Sequence, residues 1–519
     1  MNGLTERFAE QIAGSLECLD RVPIQGTLPT ACYADGMTRF LSARKIRIFD
    51  YFDFSKPLEQ DIRQNAERIA AAAGREQIEF IRKLKAFRKE DRIQEILAER
   101  GDHPGLVHVF SAMESCSSYQ PWHDKQTHRT FLKPDGGKCL HYYYYFYYYF
   151  IDEEFGLCYL RVPTWCPYRL QFSFNGHNWL ARQLDKRGIG YQMLDNAFLE
   201  IDDWEQAQRL AERFDVRTRH RLLDRYAARF CPVGQTFAKT YHWSLMQAEY
   251  ATDIVFRTAD DLAPVSEEIT RTAIHAVKAD QVATFLGKKL HGNYEAEMGT
   301  HFQTRIEGTC IKHHAGRKAA IKRSDKFGRI RRMETTVNDV GFFRHYRRVE
   351  HRDGTSSRKQ APVQKTIDSL PVLRELCSAA NRRYLQFVST LQDPSHGVKK
   401  MRKIAQPVRA AGRDHPSGGA RRGFNLLDPR DEDLFQVVAR GEHHISGFTN
   451  RSLPTVLTHK TSSQISRLLK RLRTHGLIKK IGRTYKYYLT KLGQAAIVAA
   501  LKLRETLIVP AFLTQTANA

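Results

Sequence analysis

The stretch Cys139–Asp152, CLHYYYYFYYYFID, sets the fold class, because residues 142–149 are aromatic without a break. Aromatic rings suit the pleated surface of a strand, and no helix-period polar face interrupts them. Working outward, Leu106–Glu114 (LVHVFSAME) precedes this run, while Gly156–Trp165 (GLCYLRVPTW) and Tyr168–Gly176 (YRLQFSFNG) follow it. Gly, Pro and Asp separate the four segments, which read as successive strands of a largely antiparallel sheet. Asn178–Gly188 (NWLARQLDKRG) opens on a capping Asn and closes on Gly, so the spacing predicts a helix there. A strand near 191–201 and a helix at 203–214 complete the pattern. The order predicts an α+β fold, a mainly antiparallel sheet body with flanking helices. The aromatic run itself has two readings. Either it is a strand packed on both faces, which is the expectation, or it is an open platform on which nucleobases stack.

Upstream, residues 4–19 read as an amphipathic helix, 57–73 as a longer one, and 75–100 as charged and helical. Downstream, 216–300 is expected to be mostly helical, including Tyr241–Phe256 (YHWSLMQAEYATDIVF). Strands return between Gln303 and Asn338, and a helix covers 371–392. Residues 393–425 are rich in Pro, Gly and Arg, the composition of a flexible basic linker. The expected organisation is therefore an aromatic-rich α+β domain over 1–215 and a helical segment with basic β-rich region over 216–392. The linker over 393–425 and a separate module over 426–519 follow.

Charge bounds the partners. The chain has 519 residues with 82 Lys+Arg against 57 Asp+Glu, a formal net charge of +25, which attracts polyanions. No apolar run is long enough to span a bilayer, and the N-terminal residues have no apolar block with a cleavage site, so neither a membrane nor a secretory route is expected. Nine scattered cysteines without a CxxC pair suit reduced thiols in a cytoplasm better than disulfides or a zinc finger.

The C-terminal module carries the most specific pattern. Helices are expected over 431–440, 451–457 and 461–475, the last capped by Ser462 or Ser463 and closed by Gly476. Ile465, Leu468, Leu469 and Leu472 make one apolar stripe on that third helix, leaving Arg467, Lys470, Arg471 and Arg473 on its other faces. A hairpin, LIKKIGRTYKYYLT, turns at Gly482-Arg483, and a last helix covers about 492–505. Between Glu442 and Glu505 there is no acidic residue against thirteen Lys or Arg. This order resembles the winged helix-turn-helix of MarR-type bacterial regulators over roughly 430–505. The resemblance implies that Thr461, Ser462, Ser463, Gln464 and Arg467 lie where base edges are read in duplex DNA. It places Lys479, Lys480, Arg483 and Lys486 on phosphates, with Lys470, Arg471 and Arg473 beside them. It also implies that the tail could pair subunits in a homodimer. Docking of a protein, or of RNA, is the competing use of such a surface.

The second polar concentration lies in residues 303–353. Arg305/Glu307 and Arg332/Glu334 alternate so that each pair shares a strand face. Glu307, Asp325 and Glu334 are the candidate catalytic carboxylates and ligands for Mg²⁺ or Mn²⁺, while Arg305, Lys312, Lys322 and Lys326 would grip phosphates. Cross-strand ion pairing is the plain alternative. The residues Ile321, Lys322, Asp325, Lys326, Arg332 and Glu334 resemble the "IK-x-YDK … LR-x-E" strand pair of rolling-circle replication initiators, with Ser324 where that pattern has tyrosine. That resemblance implies a metal-dependent nickase with a tyrosine nucleophile, for which Tyr241, Tyr250, Tyr294 and Tyr384 are candidates. Runs such as PWHDK (121–125), NGHNWLARQL (175–184) and TRIEGT (304–309) make the whole chain look like an uncharacterised bacterial family associated with mobile elements. The expected function is DNA processing, replication or recombination of such an element, targeted by the winged helix. The alternative is a non-enzymatic MarR-like regulator, or a nucleoprotein holding structured RNA or single-stranded DNA.

Overall fold

The aromatic run forms the strand His141–Asp152, paired antiparallel with Gly105–Cys116 on one side and Gly156–Pro163 on the other. Tyr145, Tyr147 and Tyr149 pack with Ile93 and Ile96 of the helix Lys89–Arg100. Phe146, Tyr148 and Phe150 join the main core, where Phe150 stacks on Phe230 at 5.3 Å. All six rings are at most 6 % exposed, so the period-two alternation separates two apolar faces and none of these six is open to a stacking base. The computed structural model describes residues 5–6, 8–74, 78–82, 87–134, 141–214, 219–237, 239–277, 279–288, 297–305, 308–391, 401–408, 420–425, 428–439, 443, 447–453, 457, 460–482 and 484–503.

Two units divide the chain, residues 1–392 and 393–519. The first is an α+β body holding two large sheets. Seven strands form the aromatic sheet in the order His242–Leu245, Arg21–Thr27, Leu170–Asn175, Gly156–Pro163, His141–Asp152, Gly105–Cys116 and Glu79–Ile81. Its last pairing is parallel and the others are antiparallel. Six antiparallel strands form the second sheet in the order Ile12–Leu19, Ala248–Phe256, Ile330–Val337, Ala319–Lys326, Gly308–Ala315 and Met298–Arg305. One face of this sheet carries Ile254, Ile311, Ile321 and Met333, all fully buried, under the helices Ala259–Ala276, Ala279–Phe285 and Leu370–Leu391. The other face is polar.

Several expectations are corrected by this arrangement. Residues 12–19 are a strand and not part of a helix, and Tyr241–Phe256 supplies two strands, not helical turns. In both places the apolar residues fit either period, and pairing with distant strands decides the matter. The expected boundary at 215/216 cuts both sheets. Ile12–Leu19 pairs with Ala248–Phe256, and His242–Leu245 pairs with Arg21–Thr27. The helix expected over 178–188 spans Gly176–Asp185 and is capped by Asn175, whose side chain accepts the N–H of His177. The eight described cysteines are all buried and free, the behaviour of small core residues.

The second unit has its own core. Pro429–Val438, Ser462–Thr474 and Lys491–Leu503 are helices, and Ile478–Lys480 pairs with Tyr487–Leu489 in a ribbon between the last two. The cap of the middle helix is Thr461, one residue before the expected Ser462. Of the helix expected over 451–457, residues 454–456 lie outside the described residues. The N–H groups of Leu453 and Leu457 bond to the carbonyls of Thr449 and Leu453 on either side. At the ribbon tip Gly482 has φ 50°, and the Thr484 N–H closes a turn onto the Ile481 carbonyl. The described parts of 393–425 are no linker. Residues 401–405 are helical, and Ile404 and Phe424 are buried with Leu434, Phe435 and Leu472. Among the described residues no helix is long and apolar enough to cross a membrane.

Candidate functional site

The polar face of the six-stranded sheet is organised by one guanidinium. Arg332 is fully buried, and its Nε and Nη2 donate to the two oxygens of Asp253 at 2.7 and 2.6 Å. Nη1 donates to Asp20 Oδ2 at 3.2 Å, and Nη2 also reaches the Asn196 carbonyl at 2.8 Å and His177 Nε2 at 3.2 Å. Asp20 Oδ1 in turn accepts from Asn175 at 2.6 Å and from Asn196 at 2.9 Å. Each partner arrives on a different element. Asp20 joins two strands, Asn175 caps a helix, and Asn196 sits in the two-residue turn between the strands Tyr191–Leu194 and Ala197–Ile201. Gly176 allows the chain to pass here: a Cβ on it would stand 2.2 Å from the Leu19 carbonyl oxygen, and its N–H bonds to the Asp20 carbonyl.

Burial raises the pKa of any carboxyl, yet Asp20 and Asp253 are both held below the usual carboxylate range, because Arg332 and then His177 favour their charged forms. For Arg332 burial works against the charge, but Asp253 and Asp20 outweigh it and hold the pKa above its ordinary value. Two charged carboxylates and a guanidinium thus sit in the interior with nearly every site satisfied.

Beside this network three carboxylates converge. One oxygen each of Asp20, Glu249 and Glu334 lies within 4.8 Å of the other two. Arg21 stands 3.6 Å from Glu249, and Lys322 stands 3.6 Å from Glu334. These cations do not cancel the repulsion. Burial, and then the neighbouring Glu334, push the Glu249 pKa up to about 7. Asp20 and Glu249 also line a cleft of about 740 Å³ with Asn175, Asn196 and Tyr191. Its wall carries three arginines (21, 88 and 182) against seven carboxylates, Asp20, Glu90, Asp91, Asp102, Asp185, Asp195 and Glu249. In a strongly basic chain this is an acidic recess. Oxygen donors at these separations suit a hard divalent cation, and a cation there would offset both the burial and the Glu334 repulsion that raise the Glu249 pKa.

Of the two expected metal ligands among the described residues, the structure brings one to the cluster. Glu334 belongs to the cluster. Asp325 pairs across the sheet with Arg331, whereas Glu334 pairs with Lys322, and that register puts the two carboxylates on opposite faces. Asp325 instead faces the covering helices, with Arg331 Nε at 2.9 Å and the Ser266 hydroxyl donating to it. Glu307 lies outside the described residues. Of the expected phosphate ligands, Lys312 and Lys322 share the Glu334 face by register. Lys322 is engaged by Glu334, and Lys326 donates to the Asn196 side chain at 2.5 Å, its pKa lowered by burial. Arg305 stands opposite Gly308 in the sheet, and its side chain lies outside the described residues. Of the candidate nucleophiles, Tyr241, Tyr250 and Tyr384 are buried, and Tyr294 lies outside the described residues. The run beginning Asn175-Gly176-His177 contributes Asn175 and His177 to the Arg332 network. In PWHDK, Asp124 accepts from the Gln126 N–H and the Thr127 hydroxyl and so holds a turn.

In the C-terminal unit Ile465, Leu469 and Leu472 are buried, while Ser462, Ser463, Arg467, Lys470 and Arg473 are exposed on the helix Ser462–Thr474. Thr461 and Gln464 cap each other: the Gln464 side chain accepts the Thr461 N–H at 2.8 Å, so part of its hydrogen-bonding capacity is already used. Lys479 and Lys486 are exposed and Lys480 is half-buried, whereas Arg483 lies outside the described residues. Arg471 departs from expectation. It forms a two-pronged ion pair with buried Asp431 at 2.7 and 2.9 Å, donates to the carbonyls of Arg422 and Gly423, and lies over the Phe424 ring. It is a core tie, not a surface cation. Comparison with known protein families, curated proteins and solved structures finds no match to this chain.

Proposed function

We propose that this chain binds duplex DNA through its C-terminal unit, which acts as a winged helix. The observation that carries the reading is the helix Ser462–Thr474. Its outer face offers Ser463, Arg467 and Lys470 to solvent, in a stretch from Glu442 to Glu505 that holds no acid. Cations without an ion-pair partner among the described residues, beside a ribbon bearing Lys479 and Lys486, suit a phosphate backbone, and the MarR-type resemblance supports the same docking. Arg467→Ala with Lys470→Ala should weaken binding of a labelled duplex and flatten its salt dependence. Binding that ignores both the substitutions and the salt concentration sinks the reading.

The body supports a second element of this function, processing of the bound DNA, in keeping with the association with mobile elements. Asp20, Glu249 and Glu334 would hold Mg²⁺ or Mn²⁺, which when bound supplies a Lewis acid for phosphodiester cleavage. The acidic lining of the cleft favours this over a bare nucleic-acid groove. Glu334→Gln should abolish Mn²⁺-dependent cleavage of supercoiled or single-stranded DNA while leaving duplex binding intact. Wild-type protein that leaves every such DNA whole in the presence of either cation returns the chain to a non-enzymatic DNA-binding role.

A further inference from the structure

Neither the sequence pattern nor the two sites above account for one feature of the body. The strands Arg344–Glu350 and Ser356–Pro362 pair only with each other and join neither large sheet. Each has seven residues, so the ribbon is about 20 Å long at roughly 3.3 Å per residue. Its root is fixed by Phe343, Ala361 and Val363, all buried, and by the Val363 N–H bonding to the Phe343 carbonyl. Its far end turns at Asp353-Gly354, where Gly354 has φ 79°. A two-stranded ribbon in water is marginal on its own.

The composition makes it more so. Residues 344–362 contain six Lys or Arg against two acids. Register places Arg348 directly opposite Arg358, and Arg347 directly opposite Lys359. Side chains facing each other in an antiparallel pair have Cβ atoms about 5 Å apart, and like charges there repel. Arg358 and Lys359 have no carboxylate within ion-pair distance among the described residues. Ala361 is the buried member of the face it shares with Arg347 and Lys359. The opposite face therefore points outward, and it presents Arg344, Tyr346, Arg348, Arg358 and Gln360, with Tyr346 64 % exposed and one acid, Glu350, at its far end beside Ser356.

We infer that this ribbon is a second DNA-contacting element, laid into the major groove of duplex DNA. The inference rests on the DNA-binding reading given above and adds a site in the body to it. The groove, about 12 Å wide, admits a two-stranded ribbon, and Arg and Gln are the side chains that read guanine and adenine edges there. Among the described residues Arg347 and Arg348 reach only neutral acceptors, the carbonyls of Pro362 and Arg348 and the Ser356 hydroxyl, so phosphates on the groove walls would supply the opposite charge that these facing pairs lack.

The test exploits the repulsion. In the full chain, Arg358→Glu with Lys359→Glu converts both like-charged pairs into opposite-charged ones, so the ribbon should fold at least as well as before. Binding of a labelled duplex should nevertheless weaken tenfold or more, and the slope of log K against log salt should fall by about 0.9 for each phosphate that the ribbon no longer neutralises. Arg348→Ala with Arg358→Ala, which only removes charge, should move both readouts in the same direction by less. The inference is overturned if affinity and slope are unchanged in both variants while Arg467→Ala with Lys470→Ala still weakens binding. If none of the three variants alters binding, the DNA reading itself falls, and the ribbon with it.

Discussion

The body cleft and the outer helix of the C-terminal unit carry opposite charge patterns within one chain of net charge +25. In the cleft, acids outnumber bases, and the buried charges beneath it are held by partners: Arg332 alone touches Asp253, Asp20, Asn196 and His177. On the helix Ser462–Thr474, Arg467 and Lys470 stand in solvent without carboxylate partners among the described residues, and Asp431, on the helix Pro429–Val438, is consumed by Arg471 beneath the surface. A buried charge must be answered inside the protein, because water cannot solvate it. An exposed one needs no answer, and a run of them in one sign invites a ligand from outside. The body therefore gathers acids around a recess, and the C-terminal unit leaves bases of one sign in solvent, the contrast on which the two proposed ligands, a cation and a polyanion, rest.

The sharpest way to break that contrast is to remove the guanidinium on which the body network depends. Arg332→Ala leaves Asp253 and Asp20 charged in the interior, and should cost about 3–5 kcal/mol of unfolding free energy in denaturant titration. A cost below about 1 kcal/mol would mean that the network is wetter than its burial implies. Arg471→Ala is the matching experiment in the other unit. It strands Asp431, 2 % exposed, and uncovers Phe424, so a loss of about 2–4 kcal/mol confined to the C-terminal unit is expected. Loss of DNA affinity with unchanged stability would instead restore Arg471 to the surface role that its sequence position suggests.

Arg471 also shows where sequence reading stops. On a helical wheel it lies off the apolar stripe, as Arg467 does, and only the position of Asp431, forty residues earlier, separates their roles. Local periodicity found the aromatic strand, the strands of 303–338 and the apolar stripe of the C-terminal helix, because those patterns are complete within a dozen residues. It failed over 12–19 and 241–256, where the same apolar residues suit a helix, and pairing across more than two hundred residues selects strand. The cluster was legible only through Glu334. Asp20 and Glu249 fall in or beside the two misread segments, and Asn196 looks like any other turn residue. Strand parity could have warned against Asp325, but the register needed to apply it is a tertiary fact.

A smaller effect separates the cleft from an inert ion-pair cluster. The Glu249 carboxyl has its folded-state pKa raised from 4.5 to about 7, so folding favours its protonated form. Its contribution to stability is complete below about pH 4.5 and is lost as pH climbs through about 7. Asp20 and Asp253 have lowered values and work in the opposite sense, losing their contribution only on strong acidification. Wild-type protein should lose about 1–3 kcal/mol across that near-neutral window, and Glu249→Gln should not. Mn²⁺ at alkaline pH should raise the melting temperature of the wild type more than that of Glu249→Gln. Equal responses would mark the three carboxylates as a cluster that holds no cation.

The smallest stability effect belongs to a residue on which the proposed DNA contact depends. Arg467 is exposed and makes no ion pair among the described residues, so Arg467→Ala should change unfolding free energy by no more than about 0.5 kcal/mol. Arg471, one helical turn further on, should behave in reverse, unsettling the fold and affecting DNA only through it. Measured side by side on one helix, the pair asks whether charge on this unit is structural or offered outward. If Arg467→Ala destabilises as much as Arg471→Ala, both cations are tied into the protein, and the free basic face on which the DNA reading depends does not exist. If stability holds while duplex affinity and its salt slope both drop, the outward-facing charge is doing what its lack of a protein partner implies.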